Sequence, residues 1–267
     1  MPTTPKERPH LRVETREGVR SLTFQRPERL NSFGPTEIRE LRLALQEAAQ
    51  DPAIRAVLLT GEGRAFSAGG DVAAMGESLE AGNLPSMFHD LVGEQERCVR
   101  EIVEMAKPVV AALPGVAAGG GMSLALACDW RVASPTASLV VAFPSLGAIP
   151  DGGLTYFLPH FLGIGEAQRL LFGPGRLSAQ EALELSLVHE IVPSDALLDR
   201  AHERARELAQ GPTRAYGAIK RLLLAAYHQP LEAQLSLERR AMVEATRGPE
   251  LPEGIRAFLA KRPPRFS

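Results

Sequence analysis

The sequence is poor in the features that announce metal, redox or nucleic-acid chemistry. Its 267 residues hold only two cysteines, Cys98 and Cys128, which form neither a disulfide framework nor a zinc spacing and read as two buried thiols. That economy fits a reducing compartment, so a cytoplasmic location is expected. The six histidines are scattered, with no pair at the helical spacing of a zinc site, and no bound metal is expected. Thirty basic residues face 32 acidic ones for a net charge of −2, which leaves no basic excess to grip a phosphate backbone; nucleic acid is not an expected partner.

Several motifs are missing as well. Gly61-Glu62-Gly63 lacks the third glycine of a dinucleotide fingerprint, and no glycine cluster is followed by the Gly-Lys-Ser/Thr of a phosphate loop. A Gly-x-Ser-x-Gly nucleophile elbow is absent. Met1 to Arg20 is polar and contains proline, with no apolar segment of the secretory kind. The uncharged run Pro108 to Cys128 has the length of a bilayer span, but Pro114 and its glycines would free backbone groups that lipid cannot satisfy. It reads instead as a buried strand, loop and helix, and a membrane is not an expected partner.

What the chain does have is an ordinary globular balance, 45% hydrophobic and 23% charged, with length for one large core or a core with a helical appendage. Leu11 to Phe24 alternates around Glu17-Gly18 as a hairpin, with Val13, Val19, Leu22 and Phe24 facing inward. Arg26 to Ser32 forms a turn. Ile38, Leu41, Leu45 and Ala48 recur at helical spacing after Pro35, and Asp51-Pro52 stops that helix. Ile54 to Thr60 is too short and too evenly apolar for a helix, so it reads as a buried parallel strand. The stretch from Asp71 to Pro85, with Gly76 and Gly82, reads as a loose, mobile segment. Helix is expected for Met87 to Ala106, strands for Val109 to Leu113, Trp130 to Val132 and Ser138 to Phe143. Strand, glycine turn and helix thus recur, through Gly69 and again through Gly120, which suggests stacked ββα turns. From the Ser178-Ala179-Gln180-Glu181 capping box onward the pattern is nearly all helical, with starts at Ser194, Gly211-Pro212 and Gln229-Pro230. Apolar stripes in Ala215 to Leu259 have little nearby to cover, and suit either docking on another subunit or covering their own core.

Two small-residue turns can aim backbone N–H groups at one oxygen. Ala68 and Gly120 are the candidate donors, because an oxyanion hole needs two donors fixed before charge develops and glycine-flanked backbone supplies them without bulk. The plain alternative is that both turns merely join strands to helices.

Taken together, Ala65-Phe66-Ser67-Ala68-Gly69-Gly70-Asp71-Val72, Lys107 to Gly115, Gly119-Gly120-Gly121 and Ile149-Pro150-Asp151-Gly152-Gly153 resemble the crotonase superfamily of enoyl-CoA hydratases and isomerases, over almost the whole chain from Arg26-Pro27 to Lys261-Arg262-Pro263-Pro264-Arg265-Phe266. The resemblance implies an α/β fold: a crotonase-like ββα spiral core (1–195) carrying an acyl-CoA site, and a C-terminal all-helical trimerisation region (196–267). It implies a homotrimer or dimer of trimers, and an acyl-CoA thioester whose carbonyl is held by the N–H groups of Ala68 and Gly120. Coenzyme A enters as part of the substrate, and no separate cofactor is expected. Coenzyme A contacts are implied for Arg29, Leu30, Ala68, Gly69, Gly70, Asp71, Val72 and Gly120, and for Lys261, which the resemblance places on a neighbouring subunit where it would reach the phosphates. Arg29 and Lys261 read equally well as solvated charges, and Phe258 and Phe266 as nucleotide contacts or core.

Here the sequence departs from the hydratase pattern. Ser123 and Phe143 stand where the family's hydratases carry catalytic glutamates, and neither can activate water or protonate carbon. That leaves Asp151, in the Ile-Pro-Asp setting that related CoA isomerases, including the ring-epoxide isomerase type of phenylacetate breakdown, use to move a proton between carbons. Desolvation by Ile149, Phe143 and Leu146 would raise its pKa and suit it to both directions of transfer. The alternative for Asp151 is a cap on the helix that follows. The expected function is acyl-CoA isomerisation through a thioester enolate. A hydratase, nucleophilic attack by Asp151 and a catalytically silent CoA-binding scaffold are the alternatives.

Overall fold

Glu17 and Gly18, both at positive φ (52° and 76°), turn the first hairpin, in which β1 (Leu11–Arg16) runs antiparallel to β2 (Val19–Phe24). The computed structural model describes residues 9–173 and 175–266; the expected core unit's residues 1–8 and the final Ser267 lie outside them. Only Leu11 of β1 is buried, so Val13 faces solvent rather than the core. Then come α1 (Pro35–Gln50), β3 (Ala56–Gly61), β4 (Ala65–Ser67), α2 (Val72–Glu80), α3 (Leu84–Glu104), β5 (Val109–Leu113), β6 (Val116–Ala118) and α4 (Gly120–Ala127). The chain continues through β7 (Trp130–Ala133), β8 (Ser138–Val140), α5 (Leu154–Leu162), α6 (Ile164–Phe172), β9 (Arg176–Ser178), α7 (Ala179–Glu184), β10 (Glu190–Ile191) and α8 (Leu197–Gln210). Three helices close it: α9 (Thr213–Ala226), α10 (Leu231–Ala245) and α11 (Glu250–Leu259).

Two sheets are built mostly of parallel strands, with β1/β2 and β8/β9 antiparallel at their edges. The larger has the order β1-β2-β3-β5-β7-β10 and the smaller β4-β6-β8-β9. Each of the successive pairs β3/β4, β5/β6 and β7/β8 gives one strand to each sheet before the chain enters helix. This is the ββα spiral that the repeating glycine turns suggest. Every residue of β3 and β5 is buried, which is why both read as unbroken apolar runs. The supposed bilayer span divides into β5, β6 and α4, and among the described residues no helix is long and apolar enough to cross a membrane.

Helix α1 begins at Pro35, and the Glu37 carboxylate accepts the Gly34 N–H at 2.9 Å, satisfying a donor at the helix start. Its buried positions Ile38, Leu41, Ala44, Leu45 and Ala48 face the core. Helix α8 packs Leu197, Ala201, Ala205 and Ala209, a strict spacing of four, against Val19, Ala56, Leu58, Val110, Ala112 and Val132 on the other face of the large sheet. Alanine at three of the four contacts lets the helix lie close to the strands. Beyond it, α9 to α11 form the C-terminal helical region, with Leu223, Tyr227, Leu231, Leu235, Met242 and Val243 exposed.

Three expectations need correction. The segment after Asp71 is helix α2 rather than loose chain: the Asp71 Oδ1 accepts the N–H groups of Ala73 (3.2 Å) and Ala74 (3.4 Å) and starts it. The central buried helix starts at Gly120, so the glycine stretch expected to be a turn before it is partly its first turn. Helix α8 starts after Ala196, two residues later than a Ser194 cap would give.

Candidate active site

Strands β4 and β6 are parallel neighbours, pairing Ala65 with Val116 and Ser67 with Ala117, so the turns that follow them end side by side. Contact between the turns is close. A methyl group on Gly69 would lie 2.6 Å from the Ala118 carbonyl oxygen and 2.9 Å from the Gly120 nitrogen, and one on Gly121 would lie 2.4 Å from the Ser67 oxygen. Gly69, at φ 83°, also adopts a conformation that other residues rarely take.

The N–H groups of the first turn do not all face the second. Ala68 donates to the Leu30 carbonyl (2.9 Å), Gly69 to the Ser67 hydroxyl oxygen (3.1 Å) and Asp71 to the Phe33 carbonyl (3.0 Å). The Ala68 N–H, the expected oxyanion donor, is therefore engaged. Leu30 and Asn31 are both left-handed (φ 51° and 57°), which swings the Leu30 carbonyl onto Ala68. The Asn31 amide straps that loop down by donating to the carbonyls of Ala65 (2.8 Å) and Glu62 (3.0 Å). Among the described residues, the Gly70 N–H has no acceptor, nor has that of Gly120 in the opening turn of α4.

Asp151 sits on the loop before α5. It does not cap that helix with its side chain: the cap position is Gly153, and only the Asp151 backbone carbonyl meets the Leu154 N–H, at 3.1 Å. Among the described residues its carboxylate accepts one hydrogen bond, from the Gln95 amide to Oδ1 at 3.1 Å. Burial pushes the carboxyl up to about 6, and the Gln95 bond works in the opposite direction. The expected source of that burial is only partly right. Phe143 is buried against Gly119, but Ile149 is 84% exposed and Leu146 is exposed too. Gln95 on α3 and Ser123 on α4 supply the contacts instead: a methyl on Gly152 would meet the Gln95 amide nitrogen at 2.0 Å and the Ser123 Cβ at 2.8 Å.

Ser123 donates its hydroxyl to the Asp151 carbonyl at 2.9 Å, so it ties α4 to the Asp151 loop. Gln95 escaped the sequence reading. It belongs to the buried stripe Leu91, Glu94, Gln95, Cys98 and Ile102, and a polar pair within that stripe was the available signal.

Most of the residues expected to contact coenzyme A lie together, with Leu30 bonded to Ala68, Arg29 paired with Asp71 and Gly69 packed against Gly120, whereas Lys261 stands apart from them in the single chain. Asp71 is buried and holds Arg26 (3.0 Å) and Arg29 (3.1 Å) while capping α2. Against the cost of burial, the Ala74 N–H and those two guanidinium groups keep its carboxyl below the usual range. Val72 is exposed, and Arg29 is half-exposed beside Asp71. Lys261 stands exposed after α11, a helix joined to α9 by Glu250, and no hydrogen bond or ion pair links it to the turns. Phe258 is 84% exposed, which removes its core alternative, and Phe266 folds back to within 4.0 Å of a methyl built on Gly254. Both cysteines are buried, and burial pushes the Cys128 thiol up to about 12.

Residues 14–267 match the family described as Enoyl-CoA hydratase/isomerase. The chain is 40% identical over 255 residues to the 1,2-epoxyphenylacetyl-CoA isomerase of Escherichia coli (strain K12), covering 94% of this chain and 95% of that protein. It is 38% identical over 258 residues to a protein of Rhodobacter capsulatus named a probable enoyl-CoA hydratase, covering 96% and 97%. Among solved structures, an enoyl-CoA hydratase from Polaromonas sp. JS666 superposes with a TM-score of 0.91 at 34% identity, over 96% of this chain and 99% of that one.

Proposed function

The chain belongs to the enoyl-CoA hydratase/isomerase family, and from that premise we propose that it is an acyl-CoA isomerase working through a thioester enolate. The observation that carries the reading is Asp151: one carboxylate, raised by burial to about 6, beside a serine and a phenylalanine in place of two glutamates. A carboxyl poised there can take a proton near neutrality and give it back. The E. coli relative named for isomerisation supports the same reading, and suggests ring-derived acyl groups among the substrates.

In the proposed reaction the Asp151 carboxylate removes a proton from the carbon between the thioester and the double bond of a 3-enoyl-CoA. The C–H electron pair moves into conjugation and places negative charge on the thioester oxygen. That oxygen is held by the N–H groups of Gly70 and Gly120; Gly70 takes the role expected of Ala68, whose N–H is bound to Leu30. Each preorganised donor is worth about 3 kcal/mol in analogous sites. Asp151 then returns the proton to the far end of the allylic system, giving the 2-enoyl-CoA with no net gain or loss of atoms. Hydration would need a positioned water and a second acid–base group, and Ser123 is turned to the Asp151 carbonyl. The exposed apolar face of α9 and α10 supports assembly as a homotrimer or dimer of trimers, which sedimentation would measure.

The test follows product mass with 3-hexenoyl-CoA and with crotonyl-CoA. Bond migration leaves the mass of the first unchanged while its absorbance becomes that of a conjugated thioester. Rapid gain of one water by the second, with no migration in the first, would establish a hydratase instead.

A further inference from the structure

Gln95 has no part in the reaction as drawn, yet it lies against two of its components, Asp151 and Gly120, and against the Gly152 turn between Asp151 and α5. The amide donates to Asp151 Oδ1 at 3.1 Å. A methyl on Gly120 would lie 2.6 Å from the Gln95 Oε1, and one on Gly152 would lie 2.0 Å from its Nε2. The side chain is thus wedged between the turn of the oxyanion donor and the turn of the carboxylate, and it occupies the space that a Cβ would need on either side. It is 2% exposed and belongs to the same buried stripe as Glu94, which Arg42 holds at 2.5 Å.

The two oxygens of Asp151 are left unequal. Oδ1 has the Gln95 hydrogen bond, whereas Oδ2 has no protein partner among the described residues and is not sealed from solvent. We propose that Gln95 is the positioning residue of Asp151, fixing Oδ1 so that Oδ2 alone carries the proton between the two substrate carbons. An amide suits that task. It is neutral, so it orients the carboxylate through one ordinary hydrogen bond without the strong pull of a guanidinium or ammonium group, which would suppress proton uptake. It also ties the carboxylate to the wall that carries Gly120, so the base and the oxyanion donor share one support. The inference rests on the reading of Asp151 as the proton shuttle.

The test compares wild type with Gln95→Met, Gln95→Glu and Asp151→Asn, using 3-hexenoyl-CoA for turnover and protein labelled with 13C at the aspartate carboxyl carbon for direct titration. The Asp151→Asn spectrum identifies the Asp151 signal. Gln95→Met keeps the length and removes the donor, so kcat should fall about tenfold with KM within about twofold. The Asp151 midpoint should rise from about 6 by roughly one pH unit, and the acid limb of the kcat profile should rise with it. Gln95→Glu adds a like charge at the same place, moves the midpoint further in the same direction and keeps the test open should the methionine variant not fold. A packing role alone would not move either titration. If Asp151→Asn is inactive while both folded Gln95 variants titrate and turn over as wild type does, the positioning role is wrong and the isomerase reading stands. If Asp151→Asn turns over fully, both are wrong.

Discussion

Asp151→Asn separates what the carboxylate does for the reaction from what it costs the fold. Burial raises the carboxyl from an ordinary 3.8 to about 6, with the Gln95 bond offsetting part of the effect. Such a group binds its proton more tightly folded than unfolded. The fold is therefore at full strength below pH 3.8, weakens as pH climbs toward about 6, and has lost the whole contribution above it. At about 1.4 kcal/mol for each pH unit between the two pKa values, the ionised side chain costs about 3 kcal/mol at pH 8. Asparagine keeps the shape and is neutral at every pH. The variant should melt roughly 5–10 °C above wild type at pH 8 and close to it at pH 4. Both scans belong at one protein concentration, because association shifts melting as well. Turnover of 3-hexenoyl-CoA should fall about 10²- to 10⁴-fold in the same variant. A variant no more stable at pH 8, or equally stabilised at pH 4, would refute the partly buried and largely unpaired carboxylate. Undiminished turnover would refute the shuttle.

Three further substitutions probe the turns and the helical region. Gly121→Ala forces a methyl to within 2.4 Å of the Ser67 carbonyl oxygen, so the two turns must part; urea unfolding should show a loss of about 1–3 kcal/mol. Gly70→Pro deletes the unengaged N–H and should lower kcat about 10²- to 10³-fold with an unchanged circular dichroism spectrum, an effect of the size known for a single oxyanion donor. In the C-terminal region, the Glu250 carboxylate accepts the Arg214 and Ala215 N–H groups, both at 3.0 Å, and so caps α9 from the start of α11. Glu250→Ala should cost about 1 kcal/mol, read as a lower melting temperature.

The spiral core was legible where burial leaves a clear period. Strands β3 and β5 are buried at every position and bounded by glycine or proline, and α1 shows its buried stripe between Pro35 and Asp51. Helix α2 was not legible. None of its residues is buried and Gly76 lies inside it, so no apolar stripe marks it, and only the Asp71 cap betrays its start. The opposite condition hid the first turn of α4. All eight of its residues are buried, which erases any polar face, and its glycines look like a loop. They are helical glycines because Gly120 presses on Gln95 and Phe33, and Gly121 on Ser67.

At the site, residue types were readable and directions were not. Ala68 and Gly70 stand two apart, and in a regular extended chain their N–H groups would point to one side. Gly69 between them has φ 83°, which breaks that relation and turns the Gly70 N–H away from the Leu30 carbonyl that holds Ala68. The deciding information sits 38 residues earlier than Ala68 in the chain, in the left-handed pair Leu30-Asn31 and the Asn31 amide bonds to Ala65 and Glu62. Gln95 was hidden for the same kind of reason. Nothing near it in sequence calls for a glutamine on a buried helix stripe; the demand comes from Asp151, which lies 56 positions away and whose carboxylate has one hydrogen-bond partner among the described residues.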